Sequence, residues 1–180
     1  VLRLVCRLRW EKGLDTFART VLALRAMDAL PFHTVVVGDG PARADLQNRL
    51  PFATFTGSLS GAALATAYAS SDVFLYPSTT EGWGATCLEA QASGLPIVAT
   101  ASSGVTDVVA HGTSGFLVAP SNVSALAAAA ATLLGNPSLR ATMGAHAVAH
   151  AANFSWSASG EGVLSWYRRL AAQREQRLLH

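Results

Sequence analysis

In the segment TEGWGATCLEAQASGLP, residues 80–96, Glu81 and Glu89 stand on either side of Gly82, Trp83 and Gly84. Carboxylates accept hydrogen bonds from hydroxyls. A helix opening near Gly84 or Ala85 would present free N–H groups and the positive end of its dipole, which together suit a phosphate. Two glycines in one turn leave the backbone bare to a ligand, at an entropic cost that helix capping alone does not explain. The plain alternative is that Glu81 complements the dipole, worth ~0.3–1 kcal/mol, and that Glu89 is a surface residue. A second pair, Arg7 and Lys12, lies in RLRWEKG, residues 7–13, where a first strand would pass into a first helix. A guanidinium fork and a mobile ammonium suit a diphosphate. Two ordinary surface cations fit that spacing equally well, although Lys12 is the only lysine in the chain.

Other stretches carry weaker signals. Gly38-Asp39-Gly40-Pro41 resembles a phosphate turn, but Arg43 occupies the place of a third glycine and the turn follows the second strand. Read by itself it is a tight turn with Pro41 at the first helical position. No GxxxxGK[ST] run is present, which excludes a P-loop hydrolase. Residues 100–107, TASSGVTD, lead into a short helix and either line the same crevice or simply connect. The five histidines are scattered without metal-ligand spacing. Asp72 reads as a turn residue before a strand, and Trp83 as either a core or a lid aromatic.

These residues need a scaffold, and the hydrophobic pattern supplies one. Short apolar runs at 2–6, 33–37, 53–56, 73–76, 96–99 and 116–118 alternate with helical patterns at 14–27, 42–50, 61–70, 84–93, 105–109 and 123–134. Such alternation predicts βαβ units: an α/β, Rossmann-like, doubly wound parallel sheet of about six strands in three layers. Two further helices are expected at 138–151 and 157–174. In the last, Trp156, Val163, Leu164 and Tyr167 recur at near-helical spacing and call for a packing partner. In open sheets of this kind ligands sit at the carboxyl ends of the strands. That is where Arg7, Gly38 and the turn at 81–84 fall.

Composition narrows the classes. Of 180 residues, 51% are hydrophobic and 13% charged, which fits one folded domain and excludes a disordered tail. A net charge of +2 gives no electrostatic case for nucleic acid. Two cysteines, Cys6 and Cys87, form neither a disulfide framework nor a metal pattern, and a reducing compartment is expected. No apolar run reaches the ~20 residues of a transmembrane helix. A strand-like start without methionine suggests a piece of a longer protein.

Taken together and in order, these stretches resemble the C-terminal, donor-binding domain of retaining glycosyltransferases of the GT-B fold, in the large family 4 group. The resemblance runs over nearly the whole chain. It rests on Arg7-Leu8 with Glu11-Lys12-Gly13, on Val37 to Pro41, on Phe55-Thr56-Gly57, and on Tyr68 to Asp72. It continues through Pro77-Ser78, Glu81 to Glu89, Ala92 to Ala99, Gly112 to Gly115 and Phe154-Ser155-Trp156. It implies that Arg7 and Lys12 hold the nucleotide diphosphate, that Glu81 accepts from hydroxyls of the donor sugar, and that Glu89 accepts from the ribose. Backbone amides of Gly82, Trp83, Gly84, Ala85 and Thr86 would meet the sugar and distal phosphate, and Gly38 and Gly57 join the donor-binding set.

The resemblance further implies transfer of a hexosyl group with retention, no cofactor beyond the nucleotide-sugar substrate, and no obligatory metal. The favoured donor is GDP-mannose, with UDP-sugars of the sulfoquinovosyl or glucosyl kind as the alternative. A non-catalytic nucleotide-sugar binding module is a second alternative. Expected partners are a lipid or glycan acceptor and an N-terminal domain of the same protein, against which the last helix would pack. The expected location is the cytoplasm, with room for peripheral association at the inner face of a membrane. The isolated chain should bind donor without transferring it. Several positions depart from the family pattern: Cys6 replaces a glycine, Trp83 a phenylalanine, Gln91 a methionine, Ser102-Ser103-Gly104 a Gly-Gly pair, and Thr106 a proline. None of these removes a polar group named above.

Overall fold

The computed structural model describes residues 1–27 and 31–178. Six parallel strands form one sheet: β1 (Leu2–Val5), β2 (Thr34–Val37), β3 (Thr54–Gly57), β4 (Val73–Tyr76), β5 (Ile97–Thr100) and β6 (Gly115–Val118). Their order is β3-β2-β1-β4-β5-β6, with every neighbouring pair parallel. The chain therefore winds outward from β1 in one direction, then returns to β4 and winds in the other. Connections leave β1 and β4 on opposite sides, which opens a crevice beyond their carboxyl ends.

The central strands are buried at every position, β1 as LRLV, β4 as VFLY and β5 as IVAT. Continuous apolar runs of this kind belong to strands covered on both faces. Helices supply the cover: α1 (Leu14–Ala26), α2 (Arg43–Arg49), α3 (Gly61–Ala69), α4 (Ala85–Ala92), α5 (Ser103–Thr106), α6 (Val123–Gly135) and α7 (Pro137–Ala151). α1 packs on α6, and α4 on α7. In α1 the buried Leu14, Phe17, Val21 and Leu24 follow the 3.6-residue period of a helix with one apolar stripe. The entries to α6 and α7 are capped by asparagine. The Asn122 side chain accepts from the Ala125 amide at 3.0 Å, and Asn136 from the Leu139 amide at 2.9 Å, with Pro137 at the first helical position.

The strands lie within a residue or so of where the apolar runs place them. Two helical segments differ. The helix expected over 105–109 instead covers Ser103–Thr106. The apolar residues Val105, Val108 and Val109 are all buried, but the Val108 carbonyl accepts from the Gln91 side chain at 2.6 Å rather than continuing a helix. The final helix, α8, runs Trp156–Leu178. Among the described side chains its large apolar positions do not pack on this domain: Trp156 is 91% exposed, Tyr167 66% and Trp166 64%. Among the described residues no helix is long and apolar enough to cross a membrane.

Candidate functional site

The loop leaving β1 is fixed by the loop leaving β2. The Cys6 amide donates to Val37 O at 3.1 Å, Leu8 N–H to Asp39 O at 2.8 Å, and Ala42 N–H returns to Leu8 O at 3.0 Å. This closeness needs Gly38, because a Cβ there would lie 1.9 Å from the Cys6 carbonyl oxygen. Gly38 N–H in turn donates to Gly57 O at 2.8 Å. Gly38 and Gly57 thus shape the floor through their backbones. Gly38 lines the cleft described below, and Gly57 supports it from the third strand.

After Leu8 the chain makes a 3-10 turn over Trp10–Lys12, closed by Gly13 in the left-handed region at φ 72°. A Cβ on Gly13 would fall 2.1 Å from the Pro77 carbonyl oxygen. Only glycine lets the turn lie against the β4 exit. Lys12 is delivered there: its Nζ donates to Glu81 Oε2 at 3.0 Å and to Thr80 O at 3.4 Å. The same Glu81 oxygen accepts from Tyr76 Oη at 2.5 Å. Burial alone would raise the Glu81 carboxyl, but hydrogen bonds from Tyr76 and Lys12, the Lys12 charge and the Gly84 amide outweigh it and hold the group below the ordinary carboxylate value. Glu81 is therefore an ionised acceptor at neutral pH.

Gly84, at φ 73°, precedes α4, and no side chain caps that helix. The sequence left open whether Glu81 serves mainly as a cap. Its carboxylate is instead committed to Tyr76 and Lys12 and takes only the Gly84 amide ahead of the helix, so the Ala85 and Thr86 amides at the start of α4 remain available to an anion. The Gly82–Gly84 turn rests on the segment after β5. Gly104 N–H donates to Glu81 O at 3.2 Å, and a Cβ on Gly104 would meet Trp83 N at 2.5 Å.

An open cleft of about 300 Å³ lies beyond the ends of β1 and β2. Its wall includes Cys6, Arg7, Gly38, Ser58, Thr86 and Glu89. Glu89 Oε2 accepts from the buried Tyr68 hydroxyl at 2.8 Å. The Arg7 side chain is exposed and, among the described residues, makes no hydrogen bond or ion pair, its backbone carbonyl alone accepting from the Arg9 amide at 2.8 Å. It is a cation without a protein partner at the rim of a cleft that also holds a carboxylate. The Cys6 thiol is pushed up to about 12, first by burial, with Lys12 pulling the other way and Glu81 adding to the rise. That thiol is neutral and acts as packing beside the Lys12–Glu81 pair.

The structure thus brings Arg7, Gly38, Thr86 and Glu89 into one cleft and sets Lys12 and Glu81 together as an ion pair close to Cys6. Trp83 and Ala85 border a neighbouring hollow with Leu88, Ala92 and Phe154, which also reaches Glu89. The Trp83 ring, 53% exposed, belongs to that hollow rather than to the cleft. Sequence reasoning missed Tyr68, Tyr76 and Gly104 as parts of the site. A signal did exist for the tyrosines: a phenol in a fully buried strand or helix end must find an acceptor.

The sequence profile described as Glycosyl transferases group 1 matches residues 1–136. The chain belongs to this family. Among glycosyltransferases with which it can be aligned, a sulfoquinovosyl transferase of Arabidopsis thaliana is 37% identical over 162 residues, covering 86% of this chain and 30% of that protein. A GDP-mannose-dependent alpha-mannosyltransferase of Mycolicibacterium smegmatis is 46% identical over 114 residues, 63% of this chain and 29% of that protein. Among solved structures, the sucrose-phosphate synthase of Thermosynechococcus elongatus superposes with a TM-score of 0.81 at 27% identity, covering 96% of this chain and 46% of that one. The chain spans roughly a third of the length of these two curated relatives. The group 1 assignment and the six-stranded Rossmann-like sheet agree with the expected GT-B architecture.

Proposed function

We propose that this chain is the donor-binding half of a retaining glycosyltransferase that takes a hexosyl group from a nucleoside diphosphate sugar. The observation that carries the reading is the Lys12–Glu81 ion pair beside the uncapped start of α4, with Arg7 and Glu89 in the adjoining cleft. Each part matches one part of such a donor. Arg7 and Lys12 take the diphosphate, and the amides of Gly82 to Thr86 meet the sugar and distal phosphate. Glu81, held ionised, accepts from sugar hydroxyls, and Glu89 from the ribose. As the bond to the anomeric carbon breaks, negative charge grows on the leaving diphosphate. Arg7, Lys12 and the α4 amides lie where they can stabilise it, without an obligatory metal or a cofactor. Lys12 shifts from one anionic partner toward a stronger one, and Glu81 is freed to engage the sugar.

GDP-mannose is the favoured donor, because the GDP-mannose-dependent relative has the higher identity over the aligned stretch. A UDP-sugar is the second reading, supported by the longer alignment with the sulfoquinovosyl transferase. Transfer would also require an acceptor domain in the intact protein, with the exposed apolar face of α8 packed against it. The isolated 180 residues then bind donor without transferring. Calorimetry with GDP-mannose, UDP-glucose and ADP-glucose tests both points. One of the three should bind, and at 100 times its Kd should stabilise the fold by about 2.7 kcal/mol. No heat and no thermal shift with any of them refutes the donor site. Turnover by the chain alone refutes the division of labour.

A further inference from the structure

Two phenols of the core end on the two carboxylates of the site. Tyr76, at the end of β4, is 1% exposed, and Tyr68, in the last turns of α3, is 2% exposed. Phe74 joins them: its ring stacks on Tyr76 at 5.7 Å and meets Tyr68 at 5.9 Å. The three rings form one rigid block under the site, and only the two hydroxyls emerge from it. Tyr76 Oη donates to Glu81 Oε2 at 2.5 Å and Tyr68 Oη to Glu89 Oε2 at 2.8 Å.

We propose that Tyr76 and Tyr68 are positioning residues for the donor, Tyr76 aiming Glu81 at the sugar and Tyr68 aiming Glu89 at the ribose. This rests on the donor-site reading above and adds a device to it. The geometry separates their tasks. Glu81 Oε2 receives both the phenol and the Lys12 ammonium, so the carboxylate is clamped from two directions and Oε1 lies outside that pair. Glu89 stands on an exposed face of α4, and Tyr68 makes the only hydrogen bond to its side chain among the described residues. An exposed glutamate otherwise samples many rotamers, and one bond from a ring that cannot move removes much of that freedom. Burial and the bonded carboxylates both raise the phenols, burial most, so each stays protonated and donates throughout the neutral range. A purely structural role would ask only that each buried hydroxyl find some acceptor. It would not distribute the two hydroxyls over the two carboxylates of one site.

The test uses Tyr76→Phe and Tyr68→Phe, which keep the aromatic block, with binding of GDP-mannose, GDP and 2′,3′-dideoxy-GDP measured by calorimetry (the uridine set where the chain binds uridine). Tyr76→Phe should weaken GDP-mannose about tenfold while GDP stays within about twofold, the loss expected of one hydrogen bond to a charged group. Tyr68→Phe should weaken GDP and GDP-mannose alike, by about tenfold, and leave dideoxy-GDP unchanged, since that probe has no ribose hydroxyl for Glu89 to receive. Each comparison is made within one variant, so a partly unfolded sample does not imitate the result. Equal losses for all probes, a Tyr68→Phe effect that persists on dideoxy-GDP, or no loss in either variant overturns the proposal. A wild-type chain that binds no probe overturns the donor-site reading itself, and this proposal with it.

Discussion

A methyl group added at Gly104 tests whether the turn at 82–84 is held in place from behind. Its Cβ would lie 2.5 Å from Trp83 N, 2.6 Å from Gly82 C and 2.7 Å from Gly82 O, all backbone atoms. Ordinary contact begins at 3.4 Å, so the turn must retreat by about 0.9 Å, the difference between 2.5 and 3.4 Å. That motion stretches the Gly104 N–H bond to Glu81 O, already 3.2 Å, and turns the amides ahead of α4 away from an incoming phosphate. Overpacking of this kind costs about 1–3 kcal/mol, partly offset by about 0.4–1 kcal/mol from the less flexible unfolded chain. A net loss of roughly 1–2 kcal/mol lowers Tm by about 3–7 °C in a chain of this size. A shift near 1 Å in a positioning element can cost about 100-fold in function, so Gly104→Ala should bind nucleotide sugar about 10- to 100-fold more weakly.

The control is Gly82→Ala. No atom lies within 4 Å of its added Cβ, so the fold should keep its Tm. Binding should still fall, because the methyl occupies space that a ligand needs. Scanning calorimetry and isothermal titration on both variants decide the matter. A Gly104→Ala chain with wild-type affinity, or a Gly82→Ala chain that melts as early as Gly104→Ala, would refute the reasoning.

Lys12→Met removes the only ammonium side chain while Glu81 keeps its bond to Tyr76. GDP affinity should drop by about tenfold or more and stability by about 1–3 kcal/mol, because the part-buried Glu81 loses one of its donors, read by titration and melting of the same sample. Glu81 also makes stability depend on pH. Its folded-state value lies below the unfolded value of 4.5, so its contribution is fully present above about pH 4.5 and is lost as pH falls through the folded value. Melts taken from pH 7 to pH 3 should therefore fall less steeply in Glu81→Gln than in the wild type, and parallel curves would count against the pairing. Trp166→Ser should move Tm by only about a degree, since an exposed side chain clear of the core usually contributes within ±0.5 kcal/mol. A large drop would mean that α8 packs on this domain after all.

The sequence by itself determined the sheet and the chemical alphabet of the candidate site. Short, largely apolar runs such as VFLY and IVAT suit strands covered on both faces, and their alternation with helical segments points to a doubly wound sheet. Glu81, Glu89, Arg7, Lys12 and the glycine-flanked turn were legible because their types are costly or conspicuous where they stand. Tertiary structure alone decided who holds whom. Lys12 meets Glu81 across 69 positions because Gly13 lets the first loop touch Pro77. Tyr68 reaches Glu89 across 21 positions, its ring set against Phe74 of β4. Gly104 supports the turn because the β5 exit runs against it. Each of these depends on contacts distant in sequence, and periodicity reports only which face of an element is buried, not what it is buried against. The apolar stripe of α8 shows the same limit: its pattern predicts a packing partner, and the fold shows that the partner is not this domain.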